Sequence, residues 1–144
     1  MNQIFPYANV VAGVLVLLVG FVFHWIGQLI SVLSWNLAMR IGLQEKAAPA
    51  EYRVYEHGDA VADVLIGWIY GIAGVGLLLG TQWGFKLAWL PGAVLFYHSV
   101  GFWFTTRNQR NAGHFLYTDA LRVTWFLANS LTGVLTVLVA WNGC

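Results

Sequence analysis

The sequence predicts an all-α membrane protein, with a single domain over residues 1–144 and four transmembrane helices in an up-down bundle. Three observations predict this class. The chain is 59% hydrophobic and only 9% charged, whereas soluble domains carry roughly 25% charged residues. Four apolar runs approach the roughly 20 residues that a spanning helix needs. These runs are continuous rather than alternating, which favours helices over a barrel.

The four spans are predicted over about 9–33, 61–80, 87–104 and 120–141. The first has no charged residue, and its helical pattern continues to about Met39. The second follows the polar stretch "YEHGDAVADV" and contains one acid, Asp63. The third has no charged residue and the fourth has one, Arg122. The eight tryptophans suit interfacial anchoring at the ends of these helices.

The distribution of cations predicts the orientation. Six of the seven Lys and Arg residues lie in or beside the first and third connections: Arg40, Lys46, Arg53, Arg107, Arg110 and Arg122. The second connection has only Lys86. The positive-inside rule therefore places connections one and three in the cytoplasm. Both termini, and Cys144 with them, are expected on the non-cytoplasmic side of the inner membrane.

Composition also excludes several function classes. The chain has no Lys/Arg run or basic face of the kind that nucleic-acid binding requires. A single cysteine excludes an internal disulfide and a multi-Cys metal site. The start, "MNQIFPYAN", has no Lys or Arg before the apolar run, and no A-x-A-like cleavage site follows. We therefore expect the first span to be retained rather than removed as a signal peptide.

Polar side chains recur at helical spacing on each span and predict a pocket. An ionisable or amide group that faces lipid costs several kcal/mol, so these side chains should face the bundle interior. At about 1.5 Å per residue, most of them lie within roughly 15 Å of the cytoplasmic helix ends. The predicted cytoplasm-facing pocket consists of Asp63, His98, Asn129, Gln28, Arg122 and His24. Asp63 is its centre and needs a partner, for which Arg122, Asn129 and a protonated His98 are candidates.

This pocket favours a protein that contacts membrane lipids and binds, with or without modifying, a small amphipathic or lipid-like molecule from the inner leaflet. An apolar floor, aromatic walls and a few convergent polar groups are the usual composition of such a site. The alternative is a structural or subunit-type membrane protein whose polar cluster only holds helices together. No nucleophile motif or phosphate-binding loop is present, so whether a reaction is catalysed stays open.

Three further functions stay open. Haem b needs axial ligands, for which His24 and His98 are candidates, although the predicted helix ends place His24 half to one turn deeper than His98. A small dimeric transporter would need the apolar outer half to open. Metal ligation is the third, because carboxylate and imidazole groups suit Zn or Fe. Its candidates are Glu56, His57, Asp59 and His114.

Glycines in the second span form two G-x-x-x-G pairs. Gly67 and Gly71 make the first pair, and Gly76 and Gly80 make the second. Such pairs permit close approach of two helix backbones. The pattern fits a homodimer through this helix and equally fits packing within one bundle.

One set of motifs resembles a known group of proteins. Ala62–Asp63, the segment "GLLLGTQWG" over 76–84 and "LA" over 87–88 resemble small bacterial four-helix membrane proteins of unassigned function. The resemblance covers a minor part of the chain. It implies a bacterial inner-membrane location and brings no activity with it. In physical terms, we expect Trp83 to anchor at the outer interface and Gly84 to let the chain reverse.

Overall fold

The computed structural model of this protein describes residues 4–46 and 48–143, and it is helical over nearly all of that length, with no strand in those ranges. Cys144 lies outside the described residues. The helices are α1 (Ala8–Leu33), α2 (Trp35–Arg40), α3 (Ala50–Leu78), α4 (Gln82–Asn111) and α5 (Asp119–Gly143). Helices α1, α3, α4 and α5 are long and apolar enough to cross a membrane. The all-α class is thereby confirmed, as is the presence of four helices able to span a membrane.

Helix α1 changes its winding along its length. It begins and ends as an α-helix, but Val16–Ile26 is a π-helix. A π-helix bonds each residue to the fifth one along, so it has more residues per turn and re-aims the side chains that it carries. Ser34 ends the helix in an extended conformation, and its side chain accepts a hydrogen bond from the Leu37 amide of α2. The predicted extension to Met39 is therefore a separate short helix.

Helices α3 and α4 are longer than the apolar runs that predicted them. Helix α3 begins at Ala50, directly after Pro49, so all of "YEHGDAVADV" is helical. Helix α4 covers Gln82–Asn111 rather than 87–104. A helix satisfies its own backbone hydrogen bonds whether or not its side chains are apolar. The hydropathy pattern therefore marked the membrane-compatible part of each helix and missed its polar ends.

The turn between α3 and α4 corrects one expectation. The chain reverses at Gly80, which has a positive φ of 63°, and not at Gly84. Gly84 lies inside α4, where a Cβ would be 2.5 Å from the carbonyl oxygen of Gly76. Only glycines at positions 76 and 84 allow α3 and α4 to cross so closely. Trp83, beside this crossing, is about half exposed.

Contacts between α1 and α3 run in opposite order along the two helices. The Asn9 side chain donates to the Leu77 carbonyl at 2.9 Å, and the Trp25 indole donates to the Val64 carbonyl at 3.0 Å. Residue numbers therefore rise along α1 while they fall along α3. Both acceptors are backbone carbonyls of α3, so the two bonds fix the register of α1 against α3.

Contacts between α4 and α5 follow the same rule. The hydroxyls of Ser99 and Ser130 lie 2.8 Å apart, and Arg122 Nε donates to Thr106 Oγ1 at 3.0 Å. Residue numbers rise along α4 while they fall along α5. Small and hydroxyl-bearing side chains hold this pair together, as is common between helices in a membrane.

The glycines of α3 contact side chains of this same chain. A Cβ at Gly67 would meet the Trp25 ring, and one at Gly71 would meet the Phe21 ring. Both rings belong to α1, so the two glycines leave room for the first helix. Packing within the chain thus accounts for the G-x-x-x-G pairs, and homodimerisation through Gly67, Gly71, Gly76 and Gly80 stays a prediction.

The outer surface is apolar and the polar stripes face inward. Exposed large apolar side chains on the long helices include Leu18, Leu65, Ile72, Leu90, Leu131 and Leu138. Buried polar side chains on these helices include Asn9, His24, Ser31, Asp63, Ser99, Thr106, Arg122, Asn129, Thr132 and Thr136. This distribution is what a bundle in lipid requires, and it confirms the inward direction predicted for the polar stripes.

Candidate functional site

Three ionisable side chains from three different helices meet inside the bundle. His24 Nε2 of α1 lies 3.0 Å from Asp63 Oδ2 of α3, and His98 Nδ1 of α4 lies 3.8 Å from the same oxygen. Gln28 donates to that oxygen at 3.3 Å. His24 is only 2% exposed and Asp63 only 9%. We call His24, Asp63 and His98 the His–Asp–His cluster.

The opposite order of α1 and α3 produces this meeting. The Trp25–Val64 bond fixes the register, and Gln28 lies one helical turn beyond His24 on the same face, beside Asp63. His24 itself belongs to the π-helical part of α1, and π-helical turns are frequent at functional sites. The position of the cluster therefore follows from local winding and from one interhelical register.

Aromatic rings enclose His24. Its ring lies edge-on to the His98 ring with centroids 4.1 Å apart, and edge-on to the Tyr70 ring at 5.7 Å. The Trp125 ring of α5 lies parallel to it at 6.4 Å. All four long helices therefore contribute to the surroundings of the cluster.

Several buried polar atoms near the cluster have no hydrogen-bond partner within the described part of the chain. They include both ring nitrogens of His24 and the Tyr70 hydroxyl. His24 Nε2 lies 3.0 Å from Asp63 Oδ2, within ion-pair distance but without hydrogen-bond geometry. Buried polar groups are nearly always paired in native proteins. The cluster is therefore not a closed structural network.

A cavity of about 190 Å³ lies against the cluster, and His24 and Gln28 line it. Its other polar lining consists of Ser31, Gln44, Glu56 and Tyr117. Its apolar lining includes Phe23, Leu43, Phe102, Leu121 and Trp125. Phe23 is 57% exposed and Leu121 is 48% exposed, so the cavity reaches the bundle surface between α1 and α5.

The cavity lining is rich in hydrogen-bond acceptors. Gln44 donates to the Ser31 hydroxyl at 3.2 Å, and its buried Oε1 has no partner among the described residues. The Glu56 carboxyl is half-buried beside Gln44. No Lys or Arg occurs among the described residues that line this space. The cavity therefore suits a group that donates hydrogen bonds or carries positive charge.

Tyr117 lies in the loop between α4 and α5 and supplies a hydroxyl to this wall. Burial, together with the nearby carboxyls of Glu56 and Glu45, raises the pKa of Tyr117 to about 12. Its oxygen is 3.4 Å from the Tyr52 oxygen. The Tyr117 hydroxyl is therefore protonated at neutral pH and remains able to donate as well as accept.

Arg122 is not the partner of Asp63, and that expectation was wrong. Its NH1 nitrogen lies 3.1 Å from Asp119 Oδ1, its Nε donates to Thr106, and its guanidinium lies 4.9 Å from the centre of the Trp103 ring. Asp119 is three residues earlier on the same helix, so it shares a face with Arg122. A local partner was thus available, and Asp63 is paired instead by the two histidines and Gln28.

Asn129, the remaining predicted pocket residue, is fully buried. Its side-chain nitrogen donates to the Trp125 carbonyl at 2.8 Å, one turn earlier in α5. It is not among the residues that line the cavity. Asn129 therefore lies in the interior as predicted, but its observed bond is to its own helix.

The rings of His24 and His98 are in contact, and their relative depth in a membrane stays a prediction. Axial ligands hold opposite sides of a haem iron, and the whole macrocycle must fit between them. Ring centroids 4.1 Å apart leave no room for it. A haem held by His24 and His98 does not fit this structure.

The metal ligands predicted from the polar stretch do not come together. His57 and His114 are exposed, and Glu56 and Asp59 are half-buried. Throughout residues 4–46 and 48–143, the one group of three or more His, Cys, Asp and Glu side chains that converges is the His–Asp–His cluster. The sequence predicted all three residues as members of the pocket but did not indicate that they form a set of metal ligands. They come from separate helices, so no spacing in the sequence is diagnostic of such a set.

Comparison of the chain with family models, with curated proteins and with solved structures finds no match to any of them, so the resemblance of residues 62–63 and 76–84 to small bacterial membrane proteins stays a prediction.

Proposed function

We propose that this chain is a multi-pass protein of the bacterial inner membrane and that its cavity binds the polar head of a small amphipathic, lipid-like molecule. In this proposal the four long helices form an up-down bundle with both termini on the non-cytoplasmic side. The opposed contact orders of α1 with α3 and of α4 with α5 support the bundle. The cation-rich connections support the orientation, which opens the cavity toward the cytoplasmic leaflet.

The observation that carries the proposal is a cavity next to buried polar atoms that the protein does not pair. A cluster whose role is only to hold helices together is expected to be closed, with each polar group bonded within the chain. Here His24 and Gln44 both line the cavity and both have buried polar atoms without a partner in the described ranges. This pattern favours a binding site over the structural alternative.

The size and lining of the cavity favour a particular ligand class. At about 190 Å³ it is smaller than the roughly 300–1,000 Å³ of sites that enclose a whole drug-sized ligand. It suits a head group whose chain leaves between α1 and α5, past Phe23 and Leu121. Glu56 provides negative charge, and Phe102 and Trp125 provide aromatic faces that attract cations. We therefore infer an amine head group, and we assign no reaction to the site.

Two amphiphiles with the same chain and opposite head charge test this proposal. Dodecylamine and dodecanoic acid are titrated into detergent-purified protein, with tryptophan fluorescence as the readout. We expect dodecylamine to bind more tightly than dodecanoic acid. We expect Glu56→Gln to weaken dodecylamine binding by about tenfold or more, since a bond to a charged group contributes roughly 1.5–3 kcal/mol.

Glu51→Gln is the matched control, because Glu51 is an exposed acid on the same helix. It should leave dodecylamine binding unchanged. Native mass spectrometry of the wild-type protein in mild detergent should also show a retained amphiphile. Equal binding of the two probes, or an equal response to Glu56→Gln and Glu51→Gln, would leave the proposal without support and favour the structural alternative.

A further inference from the structure

We propose that the His–Asp–His cluster is a binding site for a divalent first-row transition-metal ion such as Zn²⁺ or Fe²⁺. The site consists of His24, Asp63 and His98, and it differs from the Glu56, His57, Asp59 and His114 set that the sequence suggested. It does not rest on amphiphile binding, because metal binding is measured without any amphiphile.

Distances within the cluster are those of an almost assembled ligand set. Metal–ligand bonds of about 2.1 Å in a tetrahedral site place neighbouring ligand atoms roughly 3.4 Å apart. The two histidine–carboxylate distances are 3.0 and 3.8 Å, and all three ligand atoms lie within 4.8 Å of one another. Small side-chain rotations are therefore sufficient to close the three atoms around one ion.

The donor types select the class of metal. Neutral imidazole suits Zn, Fe, Cu and Ni, and carboxylate oxygen adds affinity for harder ions. Two imidazoles and one carboxylate are the ligands of several catalytic Zn sites and of non-haem Fe(II) sites, both of which keep an open position. A hard ion such as Mg²⁺ or Ca²⁺ prefers an all-oxygen shell, which this cluster does not offer.

The unpartnered atoms of His24 are a second observation that points to a ligand. Its side chain is 1% exposed, and neither ring nitrogen makes a hydrogen bond within the described residues. A metal ion bonded to Nε2 of the neutral imidazole gives this buried nitrogen a partner. Gln28 already donates to Asp63 Oδ2 and orients the carboxylate, as groups behind metal ligands commonly do.

Charge compensation explains why an ion would remain there. An ionised carboxylate inside a membrane span is costly unless a cation pairs with it. Arg122 is bonded to Asp119, and the ion-pair contacts of Asp63 among the described residues are to histidines, not to Lys or Arg. A dication beside Asp63 supplies the missing charge. Because His24 also lines the cavity, an ion bonded to it would lie beside the cavity.

The test uses untagged protein, because an affinity tag of histidines would itself bind the probe. The protein is stripped with a chelator in detergent and titrated with Zn²⁺ by calorimetry, and with Co²⁺ by visible absorption. We expect one ion per chain. His98→Ala and Asp63→Asn should each weaken Zn²⁺ binding by about a hundredfold or more, beyond the 10–100-fold that outer contacts contribute.

A double variant, His57→Ala with His114→Ala, is the matched control, because both histidines are exposed. It should bind Zn²⁺ like the wild type. His98 is the partly exposed member of the cluster and Asp63→Asn keeps the side-chain shape, so both variants should fold, with circular dichroism as the check. X-ray absorption of the wild-type Zn²⁺ protein gives an independent measurement, in which two imidazoles with oxygen ligands are expected.

Three results would overturn the site. The first is wild-type affinity no greater than that of His98→Ala. The second is loss of binding in the His57/His114 control with retention in Asp63→Asn. The third is an X-ray absorption spectrum with fewer than two imidazole ligands, which decides the question even if both cluster variants fail to fold.

Discussion

Asp63 shows what a carboxylate within a spanning helix requires from its neighbours. Its Oδ2 is contacted by His24, His98 and Gln28, which come from two other helices. None of these is a permanent cation, so the charge balance at this oxygen depends on a proton or on an ion. This is the physical reason that Asp63 is a candidate for function rather than only for stability.

Arg122 and Asp119 form one ion pair, in which the first side chain is buried and the second is exposed. Substituting each in turn compares a buried with an exposed contribution to stability. The Arg122 side chain is 8% exposed, whereas that of Asp119 is 74% exposed. We expect Arg122→Met to reduce the free energy of unfolding by about 2 kcal/mol, because it loses a charged hydrogen bond to Thr106. We expect Asp119→Asn to cost less than about 1 kcal/mol, because water screens its ion pairs.

Thermal melting of both variants in the same detergent provides the comparison. The Arg122 variant should melt at clearly lower temperature, and the Asp119 variant should melt close to the wild type. The opposite order would mean that the ion pairs at Asp119, and not the buried contacts of the guanidinium, hold the start of α5.

At the level of the element, the π-helical and α-helical parts of α1 both contribute side chains to the cavity. Its π-helical part carries His24, and its α-helical end carries Gln28 and Ser31, which all line the cavity. The helix then stops at Ser34, and α2 follows in a new direction. The loop after α2 brings Gln44 back to hydrogen-bond with Ser31. A straight α-helix to Met39 has no turn that returns Gln44 to this wall.

The crossing of α3 and α4 gives a test of helix packing. Gly84→Ala should destabilise the protein by about 1–3 kcal/mol or more, because the new methyl overlaps the backbone of Gly76. Gly101→Ala is the matched control on the same helix, where nothing lies within 4 Å of the added carbon. It should be neutral or stabilising by up to about 1 kcal/mol, since Ala is the better helix former.

Melting temperature and the yield of folded protein in detergent measure both glycine variants. A Gly84→Ala protein as stable as Gly101→Ala would show that the two helices do not cross at Gly76. The comparison separates tight packing from the general preference of helices for alanine, because both variants make the same chemical change in α4.

For the whole molecule, the two ends of the bundle differ in character. The end that carries the 34–49 and 112–118 connections has the cavity and most of the charged residues. The opposite end, around Gly76, Gly80 and Gly84, is held by close packing of backbones. A cavity at one end and tight helix packing at the other fit a protein whose ligand enters from a single leaflet.

The orientation of the molecule is testable at its C-terminus. Cys144 is the chain's single cysteine, so a membrane-impermeant thiol reagent should label it in intact spheroplasts. The positive-inside rule, applied to the six cations in or beside the first and third connections, predicts that it lies on the non-cytoplasmic side. In a Cys144→Ser background, Ala112→Cys in the loop after α4 is the control and should react only after lysis. Labelling with the reverse pattern would move the cavity to the other leaflet.

Composition and hydropathy alone predicted four helices able to span a membrane and polar stripes that face inward. Both follow from one strong energetic rule: a charged or amide side chain is too costly in lipid to face outward. The same rule identified His24, Gln28, Asp63 and His98 as interior residues. It applies to each residue separately, so it needs no knowledge of the partners.

The tertiary structure decided which interior residues meet. Arg122 and Asp63 are both buried, yet Arg122 bonds Asp119 and Asp63 lies within ion-pair distance of the two histidines. The choice depends on helix register and on the π-helical winding around His24. Each of these shifts a side chain by a turn or less while leaving the hydropathy pattern unchanged. The sequence therefore specified an inward-facing polar set, and only the packing of four helices made three of its members a His–Asp–His cluster beside a cavity.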